Sequence, residues 1–164
     1  MKKIFFYSIQ LFLFFLLLTA LVSCDTVSKY QKKEREEISN YLNNHPTDTF
    51  KLELSGLYYR QVLLGTGASI AIGDTACVYY TGRLLDLTPF ETNVGGKMYK
   101  FPVGIGAVLP GFDEGTYYMK QGGISQFLMP SNLAFGSQGY YSIGGYTPLL
   151  YDVELVQVIP GPTK

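Results

Sequence analysis

Tryptophan is absent from this 164-residue chain, histidine occurs once and cysteine twice. A Ser–His–Asp triad or a His-based metal centre therefore has only His45 to draw on, and His45 stands directly before Pro46. Proline disfavours helical geometry at the preceding residue, so Asn43-Asn44-His45-Pro46 reads as the stop of a helix. A catalytic thiol wants a neighbouring imidazole, and the sole histidine lies in that linker. Cys77, within Ala76-Cys77-Val78-Tyr79-Tyr80, reads instead as a small buried side chain in a strand. Charge is scarce and balanced, with 13 basic and 13 acidic residues, which leaves no basic face for a nucleic-acid backbone. Gly65-Thr66-Gly67 lacks the Lys–Ser/Thr that completes a phosphate loop and reads as a turn. No metal, cofactor or nucleic acid is expected.

What is abundant is tyrosine, phenylalanine and glycine, with 14, 11 and 18 copies. That mixture, with few long helical periods, favours strands joined by tight turns. One long apolar run stands apart. Lys2 and Lys3 precede a nearly unbroken apolar stretch, residues 4–22, that ends in Leu21-Val22-Ser23-Cys24. This resembles the lipobox of bacterial lipoproteins, in which a small residue precedes the cysteine that carries diacylglycerol. Residues 1–23 are then a signal peptide and Cys24 the lipidated first residue. An uncleaved anchor is the alternative, since close to 20 apolar residues can span a bilayer. Lipid on Cys24 would leave Cys77 without a disulfide partner.

Residues 24–49 read as a tether and a charged helix, and residues 50–160 as one domain. Tyr30, Ile38, Tyr41 and Leu42 mark a weakly amphipathic helix over 28–44, with Ser28 and Gln31 spaced as a capping box. The mixed run Lys32-Lys33-Glu34-Arg35-Glu36-Glu37 reads as its solvated face. Strands are expected around Leu52–Leu64, broken at Ser55-Gly56, and at Asp74–Leu85 with a bend at Gly82. Others are expected at Lys97–Val103, Ile124–Met129 and Leu149–Val156. Residues 88–96 and 132–148 read as loops. Pro110 suits the first helical position, Asp113 and Glu114 the first turn, Lys120 the last, and Gly122 a left-handed cap. The spacing predicts a helix of about three turns with Phe112 and Met119 near one face. Turns between most strands predict a largely antiparallel sheet, one face on that helix and the other toward water. A groove between helix and sheet could seat a small apolar ligand.

The residues Asp74–Gly82, Phe90–Thr92, Lys100-Phe101, Val108–Gly115, Met119–Gly122, Met129-Pro130, Ala134–Gly136 and Asp152–Leu155 together resemble the FKBP family of peptidyl-prolyl isomerases. The likeness runs in unbroken order over roughly residues 54–156. It implies an α+β fold, a curled antiparallel sheet of five to six strands wrapped around one short helix, here preceded by an N-terminal helix. It also implies cofactor-free interconversion of cis and trans X–Pro bonds. Lipobox and helical tether together resemble FKBP-type lipoproteins of Gram-negative bacteria. The implied setting is the cell envelope, on a periplasmic or outer-membrane face, and the implied partners are proline-containing clients.

Carried across residue by residue, the resemblance implies a pocket of Tyr80, Phe90, Glu91, Tyr99, Val108, Leu109, Phe112, Phe135, Tyr140, Ile143 and Tyr151. The Leu109 N–H would donate to the bound chain, with Tyr140 and Ile143 in an overhanging loop. Three positions depart from the family pattern. Glu91 stands for aspartate, Phe112 for the floor tryptophan, and Phe135 for the tyrosine whose hydroxyl bonds a ligand carbonyl. Tyr99 stands where another phenylalanine is usual. The expectation is an isomerase of weakened activity assisting the folding of exported proteins. The alternative is a non-catalytic peptide-binding or chaperone lipoprotein.

Overall fold

The computed structural model describes residues 27–162. The apolar run 4–22 and Cys24 lie outside these residues, and among those described no helix is long and apolar enough to cross a membrane. Helix α1 is described over residues 27–44, so Ser28 lies inside it rather than at its N-cap. Its end follows the sequence, with the His45 Nδ1 bonded to the Tyr41 carbonyl at 2.8 Å.

Seven strands follow: β1 (Lys51–Leu52), β2 (Tyr58–Leu63), β3 (Thr75–Arg83), β4 (Pro89–Thr92), β5 (Tyr99–Pro102), β6 (Gly123–Met129) and β7 (Leu149–Ile159). They form one antiparallel sheet in the order β1-β2-β6-β7-β3-β4, with β5 also paired to β3. Strands β4 and β5 share one edge of β3: β5 runs opposite Thr75–Val78 and β4 opposite Thr81–Arg83. The sheet is therefore six positions wide. Strand β4 falls within the stretch read as a loop, residues 88–96, where a proline and an exposed, short segment carry little strand signal.

Helix α2 (Pro110–Tyr117) lies across the concave face. It has eight residues, about two turns rather than three, and Lys120 falls beyond it. Tertiary contacts end it early. Met119 turns into the core at 3% exposure, Lys120 pairs with Ser69, and the Gln121 N–H donates to the Ala68 carbonyl. Gly122 does adopt a left-handed φ of 81°, but as the turn into β6 rather than as the helix cap.

Alternation along β7 sorts two cores. Leu149, Tyr151, Val153 and Leu155 face α2 together with Val78, Phe101 and Phe127, and meet Phe112 of that helix. Leu150 faces the other way and joins Leu128, Ile38 and Tyr41. The outer face is thus not wholly open to water: α1 packs on it. The residues that do so, Glu34, Ile38 and Tyr41, recur at i, i+4 and i+7 and are all buried. Glu34 belongs to the run read as solvated. Its neighbours fit that reading, pairing as Lys32–Glu36 and Lys33–Glu37 at the surface. A polar ladder crosses the same face from Asp48 through Arg60, Gln126 and Asp152 to Arg83, with steps of 2.7–3.0 Å.

Candidate active site

Between α2 and the concave sheet lies a cavity of about 440 Å³ lined by Tyr80, Glu91, Tyr99, Ala107, Val108, Leu109, Phe112, Phe135, Tyr140 and Tyr151. Each wall comes from a different element. Strands β3, β4, β5 and β7 supply Tyr80, Glu91, Tyr99 and Tyr151. The entry to α2 supplies residues 107–109, and the loop after the short 3₁₀ helix η1 (Ser131–Leu133) supplies Phe135 and Tyr140. A volume in this range suits a ligand of a few residues.

Phe112 is the floor. It is 4% exposed, and four rings hold it: Tyr80 at 5.5 Å, Phe101 at 5.6 Å, Phe127 at 5.8 Å and Tyr151 at 5.2 Å between centroids. Three of the four meet it edge to face, an arrangement that ring quadrupoles favour. The helix can sit this low because two of its residues are glycine. A Cβ on Gly115 would lie 2.7 Å from the Phe127 ring, and one on Gly111 2.6 Å from the Met129 sulfur. Glycine inside a helix costs about 1 kcal/mol against alanine, and here close approach to β6 accounts for it.

The entrance is pinned from below. Asp113 is buried, and its carboxylate accepts from the Gly104 N–H at 2.8 Å and the Gly106 N–H at 3.2 Å. Its role exceeds that of a helix-start charge, because it fixes the loop that presents Ala107, Val108 and Leu109. Asn93 does comparable work at the junction of β4 and β5. Its Oδ1 accepts from the Tyr80 N–H at 2.7 Å, and its Nδ2 donates to the Val78 and Lys97 carbonyls.

The lining holds one carboxylate, Glu91, which accepts a hydrogen bond from the Tyr151 hydroxyl. The residue as a whole stays exposed at the rim, with its carboxylate turned toward Tyr151. Burial, and then the Glu91 charge, push the Tyr80 phenol up to about 12. Burial and the Glu91 hydrogen bond push Tyr151 up as well. Both phenols are neutral donors at physiological pH. With a carboxylate already engaged and no histidine, cysteine or lysine in its wall, the cavity offers no nucleophile and no proton shuttle. What it offers is shape and apolar surface.

Nine of the eleven residues expected in the pocket line this cavity. Phe90 does not. It stands behind Tyr151, edge to face at 5.8 Å, and the two rings close over Gly82, where a Cβ would lie 2.7 Å from Phe90. Ile143 is also outside the lining: it is buried beneath the loop, where it exchanges backbone bonds with Tyr140. Ala107, Asp113 and Asn93 were missed as contributors. For Asn93 the only signal was its place before Val94-Gly95-Gly96, a turn composition that does not reveal a buried partner.

The sequence pattern of the family described as FKBP-type peptidyl-prolyl cis-trans isomerase matches residues 67–156, more than half of the chain. The chain belongs to the FKBP family. An FKBP-type isomerase named FkpA from Aeromonas hydrophila is 37% identical over 129 residues, covering 78% of this chain and 46% of the relative. The FKBP-type 22 kDa isomerase of Escherichia coli is 32% identical over 133 residues, covering 80% of this chain and 64% of that one. The chain spans about half the length of the FkpA relatives it matches. Among solved structures, FkpA from Escherichia coli superposes with a TM-score of 0.68 at 29% identity, covering 88% of this chain and 70% of the other. The FKBP fold so shared includes the curled antiparallel sheet around α2.

Proposed function

We propose that this chain accelerates cis–trans isomerisation of X–Pro bonds in polypeptides of the cell envelope, where lipid on Cys24 holds it at a membrane. Family membership supports the reaction class. One observation carries it to this chain: an open, aromatic-walled cavity floored by Phe112 and free of nucleophiles.

The reaction needs nothing more reactive. The obstacle is amide conjugation, a barrier of ~18–20 kcal/mol, and no bond is broken. A proline ring seated on Phe112 between Tyr80 and Tyr151 leaves water, and its imide carbonyl loses the solvation that favours the planar, polar form. Rigid rings do this at little entropic cost. The Leu109 N–H takes part in no hydrogen bond among the described residues, and it stands at the rim to receive a client carbonyl.

Two observations lower the expected rate. Phe135 presents a bare ring, stacked on Tyr140 at 4.9 Å, where a hydroxyl would grip a ligand carbonyl. Glu91 is occupied by Tyr151. These same two features favour the second reading, a peptide-binding chaperone with the cavity but without useful catalysis. A refolding protein whose slow phase is proline-limited separates the two. Catalytic amounts of this chain should shorten that phase, and an unchanged rate alongside measurable binding of a proline-containing tetrapeptide would establish the chaperone reading instead.

A further inference from the structure

Glu34 is the one buried charge on α1, and it is spent on an element 97 residues away in sequence. The Ser131 N–H donates to Glu34 Oε1, and the Ser131 hydroxyl donates to Oε2 at 3.0 Å. Ser131 opens η1, whose N-cap, Pro130, has no side-chain cap. A carboxylate from another helix therefore caps it, where exposed N–H groups favour negative charge. A turn away along α1, Tyr30 stacks flat on Tyr146 at 5.4 Å and 4° between planes. Helix α1 thus grips both ends of the loop that carries Phe135 and Tyr140.

Between those ends the loop is held by Ile143, buried beneath it, and by Phe135, packed on the core, while Ser137–Tyr141 and Gly144–Tyr146 stand further out. Two of its internal bonds tie it to the gripped ends, from the Gly136 N–H to the Ser131 carbonyl and from the Tyr146 N–H to the Gly136 carbonyl. Tyr141 and Tyr146 hold left-handed φ values of 48° and 59°, a conformation non-glycine residues resist, so outside support is needed to keep it. On the side away from the cavity, Gly136, Ser137 and Tyr146 border a groove of about 880 Å³ shared with Glu34, Ile38 and Tyr58, which leaves this part of the loop without close backing.

From this we infer that α1 is a brace for the cavity wall, with Glu34 and Tyr30 as positioning residues that set Phe135 and Tyr140 against the bound client. The inference rests on the proposed function for its meaning, but its central claim concerns the shape of the wall and is tested without catalysis. The α1 helix then does more than space the domain from a membrane, since it tunes how firmly the site closes.

The test uses the full chain in detergent, with Glu34→Ala, Glu34→Gln and Tyr30→Ala variants. Amide hydrogen exchange is followed at residues 131–146 and in strands β3 and β7, and affinity for a proline-containing tetrapeptide is measured alongside isomerase turnover. Glu34→Ala should raise exchange in 131–146 while β3 and β7 stay protected, and weaken the tetrapeptide by roughly three- to tenfold. Glu34→Gln, which keeps an acceptor for the Ser131 N–H, should recover most of that loss. Tyr30 is half exposed, so its alanine variant folds, and it should give a smaller change of the same kind. Exchange rising equally throughout the sheet, or tetrapeptide affinity unchanged in both Glu34→Ala and Tyr30→Ala, overturns the brace. A chain that binds the tetrapeptide without turnover removes the catalytic reading and leaves the exchange and affinity results to decide the brace alone.

Discussion

Substituting alanine for Gly115 should unsettle the site from beneath, and it should do so far more than the same change at Gly111. Both glycines lie in α2, and each would gain up to about 1 kcal/mol of helix propensity from a methyl group. The difference lies in what the methyl meets. At Gly115 it would fall 2.7–2.8 Å from three atoms of the Phe127 ring. That ring is fully buried and backed by Tyr59, stacked at 5.9 Å and 23°, so it cannot retreat. Overpacking of this kind costs ~1–3 kcal/mol, which exceeds the propensity gain. At Gly111 the nearest atoms are the sulfur and Cγ of Met129, the movable end of an unbranched chain. Gly111→Ala should therefore be near neutral. For a chain of this size a loss of about 1–2 kcal/mol lowers Tm by roughly 2–8 °C. Phe127 also meets Phe112 edge to face, so Gly115→Ala should weaken tetrapeptide binding as well. Calorimetric melting of both variants decides it. Equal melting temperatures, or a Gly115→Ala variant more stable than the parent, would refute the account of how α2 sits on β6.

Phe112→Ala removes the floor and the contacts of four rings, and it should abolish acceleration of proline-limited refolding while costing about 3–5 kcal/mol of stability in denaturant titration. Phe135→Tyr adds a hydroxyl to the wall and should tighten tetrapeptide binding by roughly two- to tenfold, read by isothermal titration, with no gain meaning the hydroxyl cannot reach the ligand. Raising the pH tests the phenols. Tyr80 titrates near 12 in the fold against an ordinary 10.0, so the unfolded chain releases its proton first. The stabilisation is complete below pH 10 and drains away as the pH climbs toward 12. Urea midpoints measured across that interval should fall, and Glu91→Gln should make the fall smaller and end it at lower pH without abolishing it, because burial is the larger cause.

Strands β3, β6 and β7 were legible because they are buried on alternate or both sides, and their apolar pattern says so without help from neighbours. The cavity residues were legible only together, through a family pattern spread over a hundred positions. No single aromatic among them differs in sequence from ordinary core. What stayed hidden depended on contacts distant in sequence. Lys120 and Gly122 looked like the end of a helix, yet bonds from Ser69 and Ala68 had already drawn that segment away. Glu34 sits among five other charged residues, and nothing local sets it apart from them; Ser131 does. The cover on the outer face was missed for a related reason. Alternation marks which side of a strand is apolar, but the outer sides of β6 and β7 mix Leu128 and Leu150 with Gln126, Asp152 and Glu154, too sparse a signal to announce a second layer.

The order of the sheet carries a consequence for how the chain folds. Strand β7 comes last in the described chain, yet it lies between β6 and β3 and pairs with both along most of its length. Until residues 149–159 arrive, the two halves of the sheet have no common seam, and Tyr151 is missing from the cavity. Such distant pairing assembles slowly, because the intervening chain must be closed into a loop before any contact rewards it. A chain made or delivered from its N-terminus would therefore remain open and client-like until residues 149–159 had followed.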